Sequence, residues 1–249
     1  VVVDCLVPLV WPAQRPFMEA ILRTYGPDCD EIIFFVSLDE HSPLDLPIGD
    51  GIYSIVDLHS AYTAVPPDRE HFHRESSTQA AHEASNTISK LLHMLRWVGE
   101  TYEKDPDARP RWHCRLERDT YFMPDNFRLL VSSLGIDASE PHYLGAREFG
   151  DAPRFGLVFN DGGPGICLSS AALQRVLPVL AAAPTIVGAP DFETCAFAMG
   201  WREDLMLASC LRQVGIFPSS STTDAYGREW FSIRPLRAIP EHQPPPLRH

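Results

Sequence analysis

The stretch Trp112–Tyr121 reads WHCRLERDTY, and it decides how the rest of the chain is interpreted. Its first half, Trp112–Leu116, has the apolar character expected of a buried strand. That run passes directly into the charged triplet Glu117-Arg118-Asp119. Because ligands of open α/β sheets bind beyond the carboxyl ends of strands, we expect the two acids to project into a crevice.

Two carboxylates one residue apart offer a specific chemistry. Such a pair can hold a divalent metal against a nucleotide diphosphate and neutralise the charge of the leaving group. Acid-x-acid triplets also occur at solvated strand ends, where they bind nothing. Taken alone, the triplet leaves both interpretations open.

Outward from this strand, strands and helices alternate along the chain, which is typical of an α/β layered fold. Apolar periodicity and capping signals support the assignment of each element. They predict strands over Val1–Val10, Glu31–Ser37 and Ile52–Leu58, and helices over Pro16–Thr24, Ile88–Tyr102, Pro124–Leu134, Ser169–Leu180 and Glu203–Val214.

Composition narrows the class of protein. The chain has 249 residues, of which 45% are hydrophobic, enough for a full core, and we expect one domain over residues 1–236 followed by a proline-rich tail over 237–249. A net charge of −12 argues against a general nucleic-acid binder. The six cysteines contain no C-x-x-C pair, which disfavours a zinc ribbon. Composition alone leaves open either the disulfides of a secretory protein or the buried thiols of a cytosolic one.

Four segments, in order along the chain, resemble the motifs of one family. Their family counterparts are a tryptophan-led strand ending in D-D-D-T-Y before a D-N-L-R helix, then G-G-A-G-Y-V-L-S, E-D-L-x-L-x-x-C and D-x-x-G-K-E-x-F. The segments are Trp112–Leu130, Asn160–Ser169 (NDGGPGICLS), Glu203–Leu211 (EDLMLASCL) and Asp224–Phe231 (DAYGREWF). The chain thus resembles the fringe-like β1,3-glycosyltransferases, and within them the core 1 β1,3-galactosyltransferase branch, from about Val1 to Leu236.

The resemblance implies a GT-A-like nucleotide-sugar fold, in which helices flank a central twisted mixed sheet. It also implies an inverting hexosyltransferase that moves a sugar, galactose by analogy, from a UDP-sugar to a glycan hydroxyl on a glycoprotein. The new bond would be a β1,3 linkage. The expected partners are the UDP-sugar donor and a glycoprotein or glycan acceptor, not nucleic acid. The donor sugar, the acceptor glycan and a homodimer are left open.

The resemblance assigns the catalytic step to the pair Glu203-Asp204. It makes Asp204 the general base that removes the acceptor proton, because a carboxylate can take the proton as the new bond forms. Glu203 would then orient the acceptor. Without the resemblance, both acids are adequately explained by the helix dipole, which favours carboxylates at a helix start.

Donor binding is assigned to charged residues and glycines. The glycines could equally form a tight turn before the helix that Ser169 caps, and Lys90 could be a solvated helix lysine. By resemblance, the residues that contact the diphosphate or sugar are Glu117, Arg118, Asp119, Lys90, Gly162, Gly163 and Arg234, with Asp119 as the remaining metal ligand.

The resemblance also predicts how the cysteines pair. It pairs Cys5 with Cys29 and Cys195 with Cys210, as in core 1 enzymes, and leaves Cys114 and Cys167 as buried thiols. Two disulfides favour the lumen of the secretory pathway, the Golgi by analogy. By the same resemblance, a type II membrane anchor is expected upstream of Val1.

Two departures from the family pattern concern the metal. In the triplet, Glu117 stands where the family has its first aspartate, and Arg118 replaces the middle acid. Arg234 stands where the family has a metal-binding histidine. Arginine cannot ligate a metal, but its planar fork can hold diphosphate oxygens. We therefore expect a dependence on Mn²⁺ that is weakened or absent, unless another histidine, such as His242, supplies the ligand.

Two other functions compete with this one. A paralogue of the core 1 enzyme has lost its acidic triplet and acts as that enzyme's chaperone, so a catalytically silent chaperone is the main alternative. The survival of Asp119, Thr120, Tyr121 and the Glu203-Asp204 pair favours an enzyme. A cytosolic α/β enzyme that uses Glu117 and Asp119 for other chemistry is the third interpretation.

Overall fold

The computed structural model of the chain describes residues 1–11, 13–38, 53–57, 79–102, 109–149, 156–186, 192–198, 202–219 and 230–231. Four features singled out in the sequence lie outside these ranges: most of the DAYGREWF segment, Arg234, His242 and the proline-rich tail over 237–249.

A six-stranded mixed sheet forms the centre of the fold. Its strands are β1 (Val2–Trp11), β2 (Glu31–Leu38), β3 (Tyr53–Asp57), β4 (Arg111–Arg115), β5 (Tyr143–Phe149) and β6 (Val158–Ser169), in the spatial order β3-β2-β1-β4-β6-β5. β7 (Thr185–Ile186) and β8 (Phe197–Ala198) form a separate parallel pair. The helices are α1 (Arg15–Arg23), α2 (Gln79–Tyr102), α3 (Pro124–Leu134), α4 (Ser170–Ala182) and α5 (Glu203–Gln213).

The strand order creates a switch point between β1 and β4. The strands β1, β2, β3 and β4 run parallel to one another. β2 and β3 lie on one side of β1, whereas β4 lies on its other side. β6 is antiparallel to β4 and to β5. In open sheets, a crevice forms at such a reversal, beyond the carboxyl ends of the two strands. The topology therefore directs attention to the ends of β1 and β4.

Both faces of the sheet are covered. Along β1, Val3, Cys5 and Val7 pack into one core while Leu6 packs into the other, as the two-residue period of a strand requires. The first core is completed by α1 and α3, and the second by α2, α4 and α5. Burial on both faces explains why β1 reads as a near-continuous apolar run. The predicted α/β class, a mixed sheet flanked by helices, is confirmed.

Local signals account for the helix ends. The Ser169 side chain accepts a hydrogen bond from the Ala172 N–H (3.2 Å) and caps α4, as predicted. Pro124 occupies the first turn of α3. Gly215, with φ of +74°, follows the end of α5, where a left-handed residue stops the helix. No helix in the described ranges combines the length and apolarity needed to span a membrane.

Three disulfides link the chain. Cys5–Cys29 and Cys195–Cys210 are bonded as the resemblance implies, with Cα separations of 6.1 and 4.3 Å. The expectation of buried thiols at Cys114 and Cys167 is wrong, because these two are bonded to each other. Their pairing follows from the sheet: β4 and β6 run antiparallel, and this places Cys114 opposite Cys167 with a Cα separation of 4.0 Å.

Candidate functional site

A pocket lies at the switch point of the sheet. It opens beyond the carboxyl ends of β1 and β4 and is bounded on one side by α2. Its lining includes Pro8, Val10, Lys90, Arg115, Glu117 and Arg118. Three of the four ionisable side chains in this set are cations, so the pocket suits an anionic ligand.

Arg115, the last residue of β4, connects three parts of the chain. Its Nη1 donates to the Gly162 carbonyl (3.3 Å), and its Nη2 donates to Glu203 Oε1 (2.8 Å) and forms an ion pair with Glu117. The side chain is 5% exposed, and in the described part of the chain its Nε has no hydrogen-bond partner. One guanidinium therefore joins the charged triplet, the glycine segment and the start of α5.

The triplet after β4 forms a hydrogen-bonded turn. The Thr120 hydroxyl accepts from the Glu117 N–H (3.1 Å) and donates to the Gly163 carbonyl (2.6 Å). Arg118 and Asp119, at the tip of the turn, are exposed, and the Arg118 guanidinium lies 5.7 Å from the Phe17 ring centroid. The turn is thus attached to the glycine segment while its tip remains accessible.

The glycine segment is an excursion within a strand. β6 pairs with β5 through Asp161 opposite Ala146 and through Ile166 opposite Gly145, so residues 162–165 leave the ladder. We call these four residues the glycine excursion. A Cβ on Gly162 would lie 2.7 Å from Arg115 Nη1, which is closer than real contacts allow. A side chain at position 162 would therefore displace the Arg115 guanidinium from its present position.

At the start of α5, Asp204 is buried and closely held. Arg202 donates to both of its oxygens, from Nε to Oδ1 (3.1 Å) and from Nη2 to Oδ2 (2.5 Å). Oδ2 also accepts from the Gly162 N–H (3.2 Å), and Oδ1 from the Leu205 N–H (2.8 Å). Arg202 reaches Asp161 Oδ2 as well (2.6 Å). Arg202 thus links α5 to Asp161, the residue before the glycine excursion, and Asp204 itself holds the excursion through the Gly162 N–H.

Burial shifts the pKa of two groups at the site. It raises the pKa of Asp204 above its usual value, against the opposing hydrogen bond from Arg202. It lowers the pKa of Lys90, against the attraction of the Glu117 carboxylate, and the nearby Arg118 charge lowers it further. A buried lysine beside two arginines is a receptive partner for an anion.

Most of the residues singled out in the sequence meet at this site. Glu117, Glu203 and Gly162 surround Arg115, and Lys90 lines the adjoining pocket. Sequence reasoning overlooked Arg115 and Arg202, which make the connections. The usable signal for Arg115 was a charged residue at the last position of an otherwise buried strand, since such a residue needs a partner.

A divalent metal would need oxygen, nitrogen or sulfur ligands from several side chains at this site. In the ranges that the structure describes, no group of three or more His, Cys, Asp or Glu side chains could hold a metal. The Glu117 carboxylate is already paired with Arg115, and the exposed Asp119 has no ion-pair partner among the residues that the structure describes. The described residues therefore do not form a metal-binding set on their own.

Two comparisons relate the chain to known proteins. Among solved structures, the chain is similar to the galactosyltransferase LgtC in complex with donor and acceptor sugar analogs, at 11% identity and a TM-score of 0.45, over 88% of this chain and 74% of that chain. That likeness assigns no residue a role. The sequence profile of the family described as Fringe-like matches residues 61–223, which is more than half of the chain. The chain belongs to the Fringe-like family of glycosyltransferases.

Proposed function

We propose that the chain is an inverting glycosyltransferase that moves galactose from its UDP donor to a glycan hydroxyl on a glycoprotein, forming a β1,3 linkage. The observation that carries this proposal is the convergence on Arg115. One buried guanidinium joins the acidic triplet, the glycine excursion and the α5 acids, which are three of the segments that resemble core 1 enzymes.

The cation-lined pocket supports binding of the donor diphosphate. Lys90, Arg115 and Arg118 contribute three positive charges at the switch point of the sheet, where nucleotide ligands of open α/β sheets bind. These cations would stabilise the negative charge that develops on the departing UDP. Gly162 and Gly163 would lie beside a sugar, since a segment without side chains allows its close approach.

Proton removal is the second requirement of the reaction. As the acceptor oxygen bonds to the anomeric carbon, its proton must pass to a base, and the bond to the UDP oxygen breaks with its electron pair. The Glu203-Asp204 pair lies next to Gly162 and supplies the carboxylates for this step. Attack from the side opposite the UDP inverts the configuration at the anomeric carbon.

We also propose a weak dependence on Mn²⁺. A metal that neutralises the diphosphate would be needed less where protein cations already line the pocket. EDTA should therefore leave a measurable fraction of the activity, and Arg234→His should increase the response to manganese. For location, the three disulfides fit the lumen of the secretory pathway, and the Golgi with an upstream anchor is the proposal.

A chaperone role is the second candidate. It is favoured by one observation: Glu117 and Glu203 both pair with the same arginine, which engages acids that an enzyme would employ. In a paralogue without catalytic activity, the contacts around Arg115 would serve only to hold the fold together. The two candidates differ in one measurable property, the turnover of a donor.

The deciding experiment is a donor screen. UDP-galactose and other UDP-sugars are incubated with the chain, with and without manganese, and UDP release is measured with and without an N-acetylgalactosamine glycoside as acceptor. Acceptor-dependent release from UDP-galactose supports the proposed function. No release from any UDP-sugar, together with improved folding of an active relative on coexpression, would support the chaperone instead.

A further inference from the structure

Arg202, immediately before α5, contacts side chains on two elements. Its Nε and Nη2 donate to the two oxygens of Asp204, and the same Nη2 donates to Asp161 Oδ2 (2.6 Å). The carbon of its guanidinium lies 5.2 Å from the centroid of the buried Phe159 ring, close enough for a cation–π contact. Two carboxylates and a ring therefore fix the position of this guanidinium, although the Arg202 side chain is 54% exposed.

Asp204 depends on this arginine because only 4% of its side chain is exposed. Burial raises the pKa of Asp204, and the hydrogen bond and the charge of Arg202 oppose that rise. The adjacent Glu203, which pairs with Arg115 of β4, has a negative charge that raises the pKa of Asp204 further. The hydrogen bond from the Gly162 N–H lowers it. Arg202 thus supplies positive charge that keeps the buried carboxylate ionised.

Other ionisable groups face Asp204 from the sheet. Asp161 of β6 is already engaged in the ion pair with Arg202. Tyr143 of β5 is buried, and its pKa is raised by that burial and further by the charges of Asp204 and Asp161. The tyrosine hydroxyl therefore stays neutral over the range in which a carboxylate titrates. A change in the ionisation of Asp204 on removal of Arg202 can thus be assigned to the arginine.

We propose that Arg202 is a positioning residue of this chain: it holds the Asp204 carboxylate beside Gly162, in place to take the proton of the acceptor hydroxyl. This inference rests on the proposed function and retains Asp204 as the base, as the family resemblance implies. It adds the side chain through which that base is held.

Arg202 can release one oxygen of Asp204 to the acceptor and still be held. Its Nη2 is shared between Asp204 Oδ2 and Asp161 Oδ2. When an acceptor hydroxyl donates to Asp204 Oδ2, Nη2 keeps Asp161, and Nε keeps Asp204 Oδ1. The proton then passes to Asp204 as the acceptor oxygen bonds to the anomeric carbon, and the bond from that carbon to the UDP oxygen breaks with its electron pair. Asp161 keeps the guanidinium in place during this exchange.

The first test is the pH profile of Arg202→Gln, which removes the charge and keeps a polar side chain. Because loss of a nearby cation disfavours the ionised carboxylate, the loss of kcat should be about tenfold larger at about pH 5 than at about pH 8. The KM for UDP-galactose should change by less than about twofold, since the donor pocket is lined by other cations. A merely structural role would lower kcat equally at both pH values.

Two further variants sharpen this test. Arg202→Lys retains the charge but lacks the fork, so it should restore the wild-type pH profile and only part of kcat. It also covers the case in which the glutamine variant folds poorly. The matched control is Arg212→Gln, because Arg212 lies at the far end of α5 and pairs with Glu193 (3.0 Å). The control should keep the wild-type kcat at both pH values.

A second readout does not need turnover. In a chain with ¹³C-labelled aspartate carboxyls, the Asp204 signal is identified by its loss in Asp204→Asn, and its titration is followed by NMR. We expect Asp204 to titrate at a higher pH in Arg202→Gln than in the wild type. In Arg202→Lys and in Arg212→Gln it should titrate close to the wild-type pH.

Three outcomes would overturn the proposal while the wild type is active: wild-type kcat in Arg202→Gln, an equal loss of kcat at both pH values, and an Asp204 titration that ignores the loss of Arg202. A wild-type chain that turns over no UDP-sugar, although its Asp204 titration responds to Arg202, would instead overturn the proposed function. The catalytic role of Arg202 would fall with it, while its pairing with Asp204 would stand.

Discussion

β4 carries an arginine at each end, and the two ends are built differently. At its amino end, Arg111 forms a two-pronged pair with Asp4, from Nε to Oδ2 (2.7 Å) and from Nη2 to Oδ1 (2.5 Å). Asp4 is fully buried, and the Tyr102 ring covers the guanidinium at 4.7 Å. Most of the hydrogen bonds of this guanidinium go to one carboxylate on the neighbouring strand, β1. We call this the closed end of β4, because the pair is buried and covered by a ring.

At the carboxyl end of β4, Arg115 divides its fork among Glu117, Glu203 and the Gly162 carbonyl. Its partners come from three segments, and one of its nitrogens, Nε, faces no acceptor in the described part of the chain. The two ends show that an arginine side chain can have two different roles in one strand. An arginine paired with one buried acid stabilises the sheet, whereas an arginine shared among segments assembles a site.

The largest effect is expected between these two ends, at the Cys114–Cys167 bond. By chain-entropy reasoning, a bond that spans 53 residues stabilises the fold by about 4 kcal/mol, so the double variant Cys114→Ala/Cys167→Ala should lose that free energy of unfolding. Urea denaturation measures it. The control pair, Cys195→Ala/Cys210→Ala, spans 15 residues and should lose about 3 kcal/mol. Native Cys114 that reacts with a thiol reagent would contradict the bond.

Arg111→Met tests the closed end. Removal of the guanidinium leaves the Asp4 carboxylate buried without its two-pronged partner, and His113 Nδ1 lies 3.2 Å from it. We expect a loss of about 3 kcal/mol in the free energy of unfolding, because an unpaired buried charge is strongly destabilising. Transfer per folded molecule should stay at the wild-type level. If folded Arg111→Met lost transfer activity, this result would contradict the purely structural role of Arg111.

Arg115→Met tests the open end, and its main effect should be on activity. Without the guanidinium, Glu203 loses its anchor, and a displaced catalytic group can cost about a hundredfold in rate. The stability loss should be smaller than that of Arg111→Met, because Glu117 and Glu203 are partly exposed and can be hydrated. We expect kcat to fall more than KM rises. An Arg115→Lys variant should recover only part of the rate, since an ammonium lacks the fork.

The smallest effect concerns the pocket beside Arg115. Lys90→Met removes one of its three cations, and the Kd for UDP should rise about tenfold, the usual value of one charge-assisted hydrogen bond. Arg96→Met, on the same helix but at an exposed position, serves as the control and should leave the Kd unchanged. Uridine, which lacks phosphate, should bind both variants like the wild type. Equal weakening of uridine binding would mean that Lys90 does not contact the diphosphate.

Local patterns were sufficient for much of the fold. Three signals each act over a few residues: the apolar run of β1, the proline at the start of α3 and the serine before α4. The structure has these elements where the signals predict them. The glycine excursion was harder to predict. Its sequence is compatible with a turn, and only the pairing of β6 on both sides of it shows that one strand continues through it.

The sequence by itself determined the α/β class, the family and two of the three disulfides, because these follow from short motifs and their order along the chain. Tertiary structure alone decided that Cys114 meets Cys167 and that Arg115 meets Glu203, 88 residues further along. Within the described residues, it also decided that both oxygens of Asp204 accept hydrogen bonds, whereas Glu203 accepts one only at Oε1. Hydrogen bonds and ion pairs act over about 3 Å, so such partners are defined only when the sheet has brought distant segments together.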